Sequence, residues 1–281
     1  MKFLDPTTDP MFKRLFANQA KKEIVISFLN SVLGREGQET IVDVVITDPH
    51  NNQETDQLKF SVVDARCTDQ NGKQYIVEMQ VDNEYNYAHR SQYYACLGIT
   101  RQLEAVKNYK ELMPVIFVGV LGFNLFKNND AYLTIHQTLN VKTHERDLQL
   151  MEFCYIELQK FTKTIDQLDN VVDKWIYLLQ NASKFDQIPV QLQKPAALEE
   201  AMTTLNQGSM TLKELAVYDK YLDARRVEQS VLETAQARGE AMGQAMGERQ
   251  KALTIARQLL ATGMAVEQVA LIVGLAVEDI K

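Results

Sequence analysis

The sequence predicts an α/β chain, a mixed sheet flanked by helices, followed by an all-α carboxyl-terminal extension. Three observations carry the prediction. Helix-period stripes at 9–33 and 88–106 bracket β-branched, strand-period segments. An Asn71-Gly72 pair joins two apolar runs, a strong short-range hairpin signal. Beyond Thr162 every apolar pattern is helical. Layered packing of helices on a sheet is the economical way to bury both kinds of face.

The elements follow in order. Asp9-Pro10 reads as an N-cap followed by proline in the first turn, and Met11, Phe12, Leu15 and Phe16 share one helical face. A second helical stripe, Ile24 to Leu33, stops at Gly34. Strands are expected at 41–46, 58–67 and 74–81, the last two joined by the Asn-Gly turn, and further strands at 115–121, 132–139 and 148–158. Ile165 to Leu179, with Trp175, is an amphipathic helix. Ile188-Pro189 and Lys194-Pro195 then suggest a boundary that divides the chain into 1–185 and a helical 196–281. A long helix runs from Leu212 towards Leu260 and carries Gly239, Gly243 and Gly247 in register. Each interior glycine costs a helix about 1 kcal/mol against alanine. A close-packing helix seam and a fraying hinge both account for them.

Composition narrows the function. With 281 residues, 46% hydrophobic and 24% charged, the chain can build a sizeable core, so wholesale disorder is excluded. No apolar run approaches the ~20 residues that span a bilayer. The amino terminus places Asp5, Asp9 and two prolines where a signal peptide needs apolar residues, so a cytoplasmic location is expected. Cys67, Cys96 and Cys154 are scattered and do not group with the four histidines, which argues for reduced thiols rather than disulfides or zinc. The net charge of −7 removes any global attraction for nucleic acid or an anionic membrane. DNA binding would have to use local basic patches.

One constellation has chemical potential. On the returning hairpin strand Glu78 and Gln80 are two apart and share a face with Ile76, while Asp64 lies near the end of the preceding strand. Two carboxylates at one place on apolar strands repel, and a proton, an arginine or a metal ion relieves them. Spacing alone is described more simply by two solvent-face residues paired with Arg66 or Lys73.

The blocks Phe3-Leu4-Asp5-Pro6-Thr7-Thr8-Asp9, Phe12-Lys13-Arg14-Leu15-Phe16 and Ser27 to Leu33 resemble the start of the Rpn family. These are recombination-promoting nucleases, also called transposases, of the PD-(D/E)XK superfamily. The likeness continues through Val63-Asp64-Ala65-Arg66, Tyr75-Ile76-Val77-Glu78-Met79-Gln80, Arg90 to Tyr94, Tyr109, Pro114-Val115-Ile116 and Phe123 to Phe126. It spans about the first half of the chain. The resemblance implies a restriction-endonuclease-like core that cuts DNA with Mg²⁺ or Mn²⁺. It implies Asp64 and Glu78 as metal carboxylates and the Met79 carbonyl as a further oxygen ligand. Gln80 stands where the superfamily pattern has lysine, and a neutral amide can only hydrogen-bond where lysine offsets charge. Lys13, or Lys73 beside the turn, is the candidate source of the missing charge. Arg90 and Tyr94, four apart on one helix face, either position a phosphate or pack against the sheet.

The carboxyl-terminal 255–280 resembles a helix-turn-helix but departs from it: the last helix is barely two turns and begins with Glu278 and Asp279. A small helical cap or oligomerisation element is the better account, with homo-oligomerisation through these helices expected. The leading expectation is a metal-dependent DNA endonuclease. The alternative is a catalytically inactive nuclease fold that binds DNA or a protein, which the acidic balance and Gln80 favour.

Overall fold

A computed structural model describes residues 1–47, 65–103 and 108–280. Its elements, numbered in chain order, begin with α1 (Asp9–Phe16), α2 (Lys22–Val32), β1 (Val44–Thr47), β2 (Ala65–Asp69), β3 (Gln74–Gln80) and α3 (Tyr87–Gln102). Then come β4 (Val115–Leu121), β5 (Leu133–Gln137), β6 (Met151–Glu157), α4 (Val171–Asn181), α5 (Ala196–Leu205), α6 (Leu212–Ala261), α7 (Val266–Val273) and α8 (Val277–Ile280). The described strands form one sheet, ordered β1-β2-β3-β4-β6-β5. β1, β2 and β3 pair antiparallel, β3, β4 and β6 parallel, and β5 returns antiparallel on β6. This is the mixed sheet between helices that the sequence predicts.

Alternation along the strands sorts the two faces. On one side Ile76, Val115, Phe117, Leu121 and Tyr155 pack with Tyr87, Tyr94 and Ala95 of α3. On the other, Cys154, one residue from Tyr155, is buried with its thiol 3.8 Å from the Val32 carbonyl of α2. α1, α2, α4 and α5 pack together around Phe12, Phe16, Phe28 and the fully buried Trp175, whose indole N–H donates to Ser27 Oγ at 3.2 Å.

Local chemistry moves several boundaries. Thr8, not Asp9, is the N-cap of α1; Asp9 is the first helical residue and pairs with Lys13 at 2.7 Å. An acidic residue is favoured there by the helix dipole. Gly34 lies one residue past the C-cap Leu33, at φ 59°, and lets Arg35 N–H return to the Asn30 carbonyl at 2.9 Å. β1 begins at Val44 rather than Ile41, because the Asn30 side chain takes both backbone groups of Ile41 at 2.8 Å. α4 begins at Val171 rather than Ile165, since Asn170 caps it by accepting from Asp173 N–H at 2.8 Å. β5 and β6 are shorter than expected, and α3 ends at Gln102. Of the expected strand 58–67 the structure describes 65–67, within β2; its residues 58–64, like 104–107, lie outside the described residues.

The hairpin turn matches its sequence signal. Gly72 adopts φ 83°, and Asp69 Oδ1 accepts from the Asn71 and Lys73 N–H groups at 2.8 and 2.9 Å.

The chain divides into two compact units, Met1–Tyr218 and Asp219–Lys281. The division falls later than the prolines at 189 and 195 suggest, because α5 packs against α1, α2 and α4 and so belongs to the first unit. The second unit comprises most of α6 with α7 and α8; Ala256, Val269 and Ala270 are buried within it, and Gly263 and Gly274 turn the chain at positive φ. The α6 helix is continuous through Gly239, Gly243 and Gly247. Nothing among the described residues approaches within 4 Å of where a side chain would begin at any of the three. No described helix is long and apolar enough to cross a membrane.

Gly119 is a required absence of side chain. A Cβ there would lie 2.7 Å from Tyr87 Oη and 3.2 Å from the Phe117 and Tyr155 rings. Gly119→Ala is expected to cost about 1–3 kcal/mol by overpacking, read as a lower urea midpoint, and Tyr87→Phe in the same chain should recover part of that loss. No recovery in the double variant would show that the rings, not the hydroxyl, set the limit.

Candidate active site

Glu78 and Gln80 sit near the end of β3 with side chains on the α3 side of the sheet, as the alternation with Ile76 requires. On β4, Gly119 pairs with Glu78, so the neighbouring strand presents no side chain beside the carboxylate. α3 delivers Arg90 to this place. One guanidinium nitrogen donates to Glu78 Oε1 at 2.8 Å and to Gln80 Oε1 at 2.7 Å, while another pairs with Glu84. The guanidinium also stands over the Tyr87 ring, 5.1 Å from its centroid, and 6.0 Å from that of Tyr94. The remaining capacity of Gln80 is used locally, its amide nitrogen donating to the Asp82 carbonyl at 3.1 Å.

The other buried carboxylates show what is unusual about Glu78. Asp69 accepts from two backbone N–H groups and from Tyr75 Oη. Glu152 is held by Arg35, Arg146 and Gln137. Glu157 accepts from Phe126 N–H and Lys160. Asp173 accepts from Tyr132 Oη, Lys163 and Asp169 N–H. Each of these four uses both oxygens. Glu78, only 7% exposed, uses one: its Oε2 is buried with no hydrogen-bond partner among the described residues. A native fold satisfies such atoms or uses them. Burial therefore pushes the Glu78 carboxyl up to about 6, against the opposing pull of Arg90.

The sequence candidates distribute as follows. Glu78, Met79 and Gln80 are consecutive on β3. The Gln80 carbonyl accepts from Gly122 N–H at 2.8 Å on the β4 side, so backbone alternation turns the Met79 carbonyl toward β2. Lys13 lies on α1, paired with Asp9 at 2.7 Å. Lys73 lies at the opposite end of β3, about 17 Å of strand from Glu78 at five residues, and pairs with Glu39 at 2.5 Å. Asp64 lies outside the described residues; the described ladder ends at Ala65↔Val77, the residues next to Asp64 and Glu78 in the sequence. Among the described residues no group of three His, Cys, Asp or Glu side chains is placed to hold a metal.

Arg90 is the ion-pair partner that sequence reasoning did not assign to Glu78. Its spacing from Tyr94 marks a helix face, but the twelve-residue separation from Glu78 is bridged only once α3 folds back over β3.

Comparison with known proteins supplies the remaining context. A family described as "PD-(D/E)XK nuclease family transposase" matches residues 6–235. No curated protein and no solved structure matches the chain.

The pH behaviour of Glu78 follows from its position. The unfolded carboxyl titrates at its ordinary value of 4.5 and the folded one near 6. Between these values the folded chain binds the proton more tightly, so stability from this group is full below 4.5 and is lost as the pH rises through 6. Arg90→Ala removes the opposing charge and is expected to move the Glu78 titration above 6 in carboxyl ¹³C NMR. An unmoved midpoint would show that Arg90 does not couple to it.

Proposed function

The chain belongs to the PD-(D/E)XK nuclease family transposases, and from that premise we propose that it is a divalent-metal-dependent endodeoxyribonuclease, with a role in recombination or transposition. Family membership supports the coarser statement, a nuclease- or transposase-type function. The single observation that carries the finer one is the open Oε2 of Glu78, whereas the four other buried carboxylates among the described residues have both oxygens occupied.

An orphaned carboxylate oxygen fits a hard cation, which takes oxygen ligands. Asp64, Glu78 and the Met79 carbonyl would hold Mg²⁺ or Mn²⁺. Bound there, such an ion supplies acidity to a coordinated water and stabilises charge on a scissile phosphate. The protein's own groups do the rest. Gln80 does not replace lysine as a charge; with its Oε1 on Arg90 and its Nε2 on the Asp82 carbonyl, it orients Arg90. Arg90 brings to Gln80 the positive charge absent from the strand, and a guanidinium suits the equatorial oxygens of a phosphate. Lys13 remains a candidate for a second cation, and its release from Asp9 would be needed. DNA is the substrate in this reading, and α6, α7 and α8 serve assembly of a homo-oligomer in the cytoplasm.

A second reading has its own support. Arg90 already neutralises Glu78, and the chain carries net charge −7. A catalytically inactive fold that binds DNA or a protein would need no more.

Plasmid nicking separates the two. The enzyme reading expects Mg²⁺- or Mn²⁺-dependent conversion of supercoiled DNA that Asp64→Ala and Glu78→Ala each reduce at least about 100-fold, the scale of losing a transition-state group. Arg90→Ala should lower kcat more than it raises KM, and Lys13→Ala should slow cleavage if that lysine takes part. Retention of DNA with no cleavage under either metal supports the binder.

A further inference from the structure

Among the described strands, β1 and β5 form the two edges of the sheet, and the edges differ. At β1 the Gln19 side chain seals the outward backbone, accepting from Ile46 N–H at 2.7 Å and donating to the Val44 carbonyl at 3.2 Å. At β5, Glu157 N–H donates to the Tyr132 carbonyl at 2.8 Å, which fixes Tyr132, Thr134 and His136 as the residues bonded to β6. The N–H and C=O groups of Leu133, Ile135 and Gln137 therefore point to the outer side, where no described strand or side chain pairs with them. An open edge is a template for another strand.

Side chains add a groove and a charge. Leu133, Ile135 and Gln137 stand opposite Ile156, Cys154 and Glu152, on the face that α2 covers. Leu133 and Ile135, with Val32, Leu33 and Val172, line an open, mostly apolar groove of about 400 Å³. Ile135 is 44% exposed there. One level further along β5, Gln137 donates to Glu152 Oε2 at 2.8 Å. The same carboxylate holds Arg35 at 2.7 Å and Arg146 at 2.9 Å. Two guanidinium groups share one carboxylate, and neither has a second carboxylate partner among the described residues. Glu39, which feels both arginines, is already paired with Lys73. Positive charge is thus left over at one end of an apolar groove that runs beside an unpaired strand.

We propose that β5 accepts an extended peptide as an added antiparallel strand, with apolar side chains opposite Leu133 and Ile135 and an acidic one opposite Gln137. Read from its amino end, the partner is acidic-x-apolar-x-apolar. Main-chain hydrogen bonds give such a complex its affinity, and the alternate side chains give it specificity. Antiparallel pairing is the more stable of the two directions. At ~4.8 Å between strands the added strand lies about 10 Å from β6, a gap that a glutamate from one side and the arginines on Glu152 from the other bridge together. The groove is on the sheet face opposite Glu78, so the inference stands apart from the nuclease reading.

The probe is an acetylated, amide-capped peptide, Ser-Glu-Thr-Val-Thr-Val-Thr, carrying a fluorophore on its first residue and titrated with the full chain by anisotropy. Saturable binding with Kd below about 1 mM is expected. Replacing the glutamate of the peptide by glutamine should weaken it about tenfold, the scale of one hydrogen bond to a charged group. Arg146→Gln should erase that preference, and Ile135→Lys should abolish binding of both peptides. In the wild-type chain, saturating peptide should slow amide exchange at Leu133, Ile135 and Gln137 and leave Thr134 and His136 unchanged, a readout that holds even where a variant misfolds. No saturable binding, equal affinity for the two peptides, or no alternating protection overturns the proposal. A wild-type dimer that Ile135→Lys dissociates in sedimentation, with no peptide bound, gives the edge to a second copy and overturns it as well.

Discussion

The guanidinium of Arg90, spanning from α3 to Glu78 and Gln80 on β3, is the contact on which the site depends. Taking a carboxylate out of water costs several kcal/mol, and a partner repays it only with good geometry. The fold provides that geometry by clamping α3 along its length. Near its start Ser91 Oγ meets Tyr155 Oη at 2.6 Å; at its end Gln102 exchanges two hydrogen bonds with the backbone of Met113. Between these clamps Gly98 brings the helix against Val115, and Gly119 admits the Tyr87 hydroxyl to the sheet. The helix is thus held at one height, and Arg90 reaches the strand because of it.

The buried carboxylates among the described residues fall into two kinds by the same accounting. Asp69, Glu152, Glu157 and Asp173 are buried with every oxygen engaged, and each ties a turn, a strand or a helix start to its neighbour. They stabilise the architecture and offer nothing to a ligand. Glu78 is buried to a similar degree with half its capacity open. Saturation separates a structural acid from one available for chemistry more sharply than burial does.

Charge distribution matters more here than total charge. The chain is acidic overall, yet the Arg90 guanidinium stands on the face that carries Glu78, and the register of β2 puts Arg66 opposite Ile76 on that same face. Electrostatic attraction to a polyanion falls off within about a Debye length, ~8 Å at physiological salt. A local cluster can therefore act against an unfavourable net charge.

The order and kind of the main elements were legible in the sequence because each rests on local physics. The Asn71-Gly72 turn needs positive φ, the apolar stripes of α1 and α2 repeat at helical spacing, and β4 is a continuous buried run. Likewise Glu78 and Gln80 share a face by the two-residue period alone. Boundaries shifted where a side chain from elsewhere took backbone groups, as Asn30 does at Ile41. What no local pattern could determine is the pairing of Glu78 with Arg90 and the attachment of α5 to the first unit. Those depend on which helix folds over which strand, and such contacts join residues whose spacing in the chain carries no periodic trace.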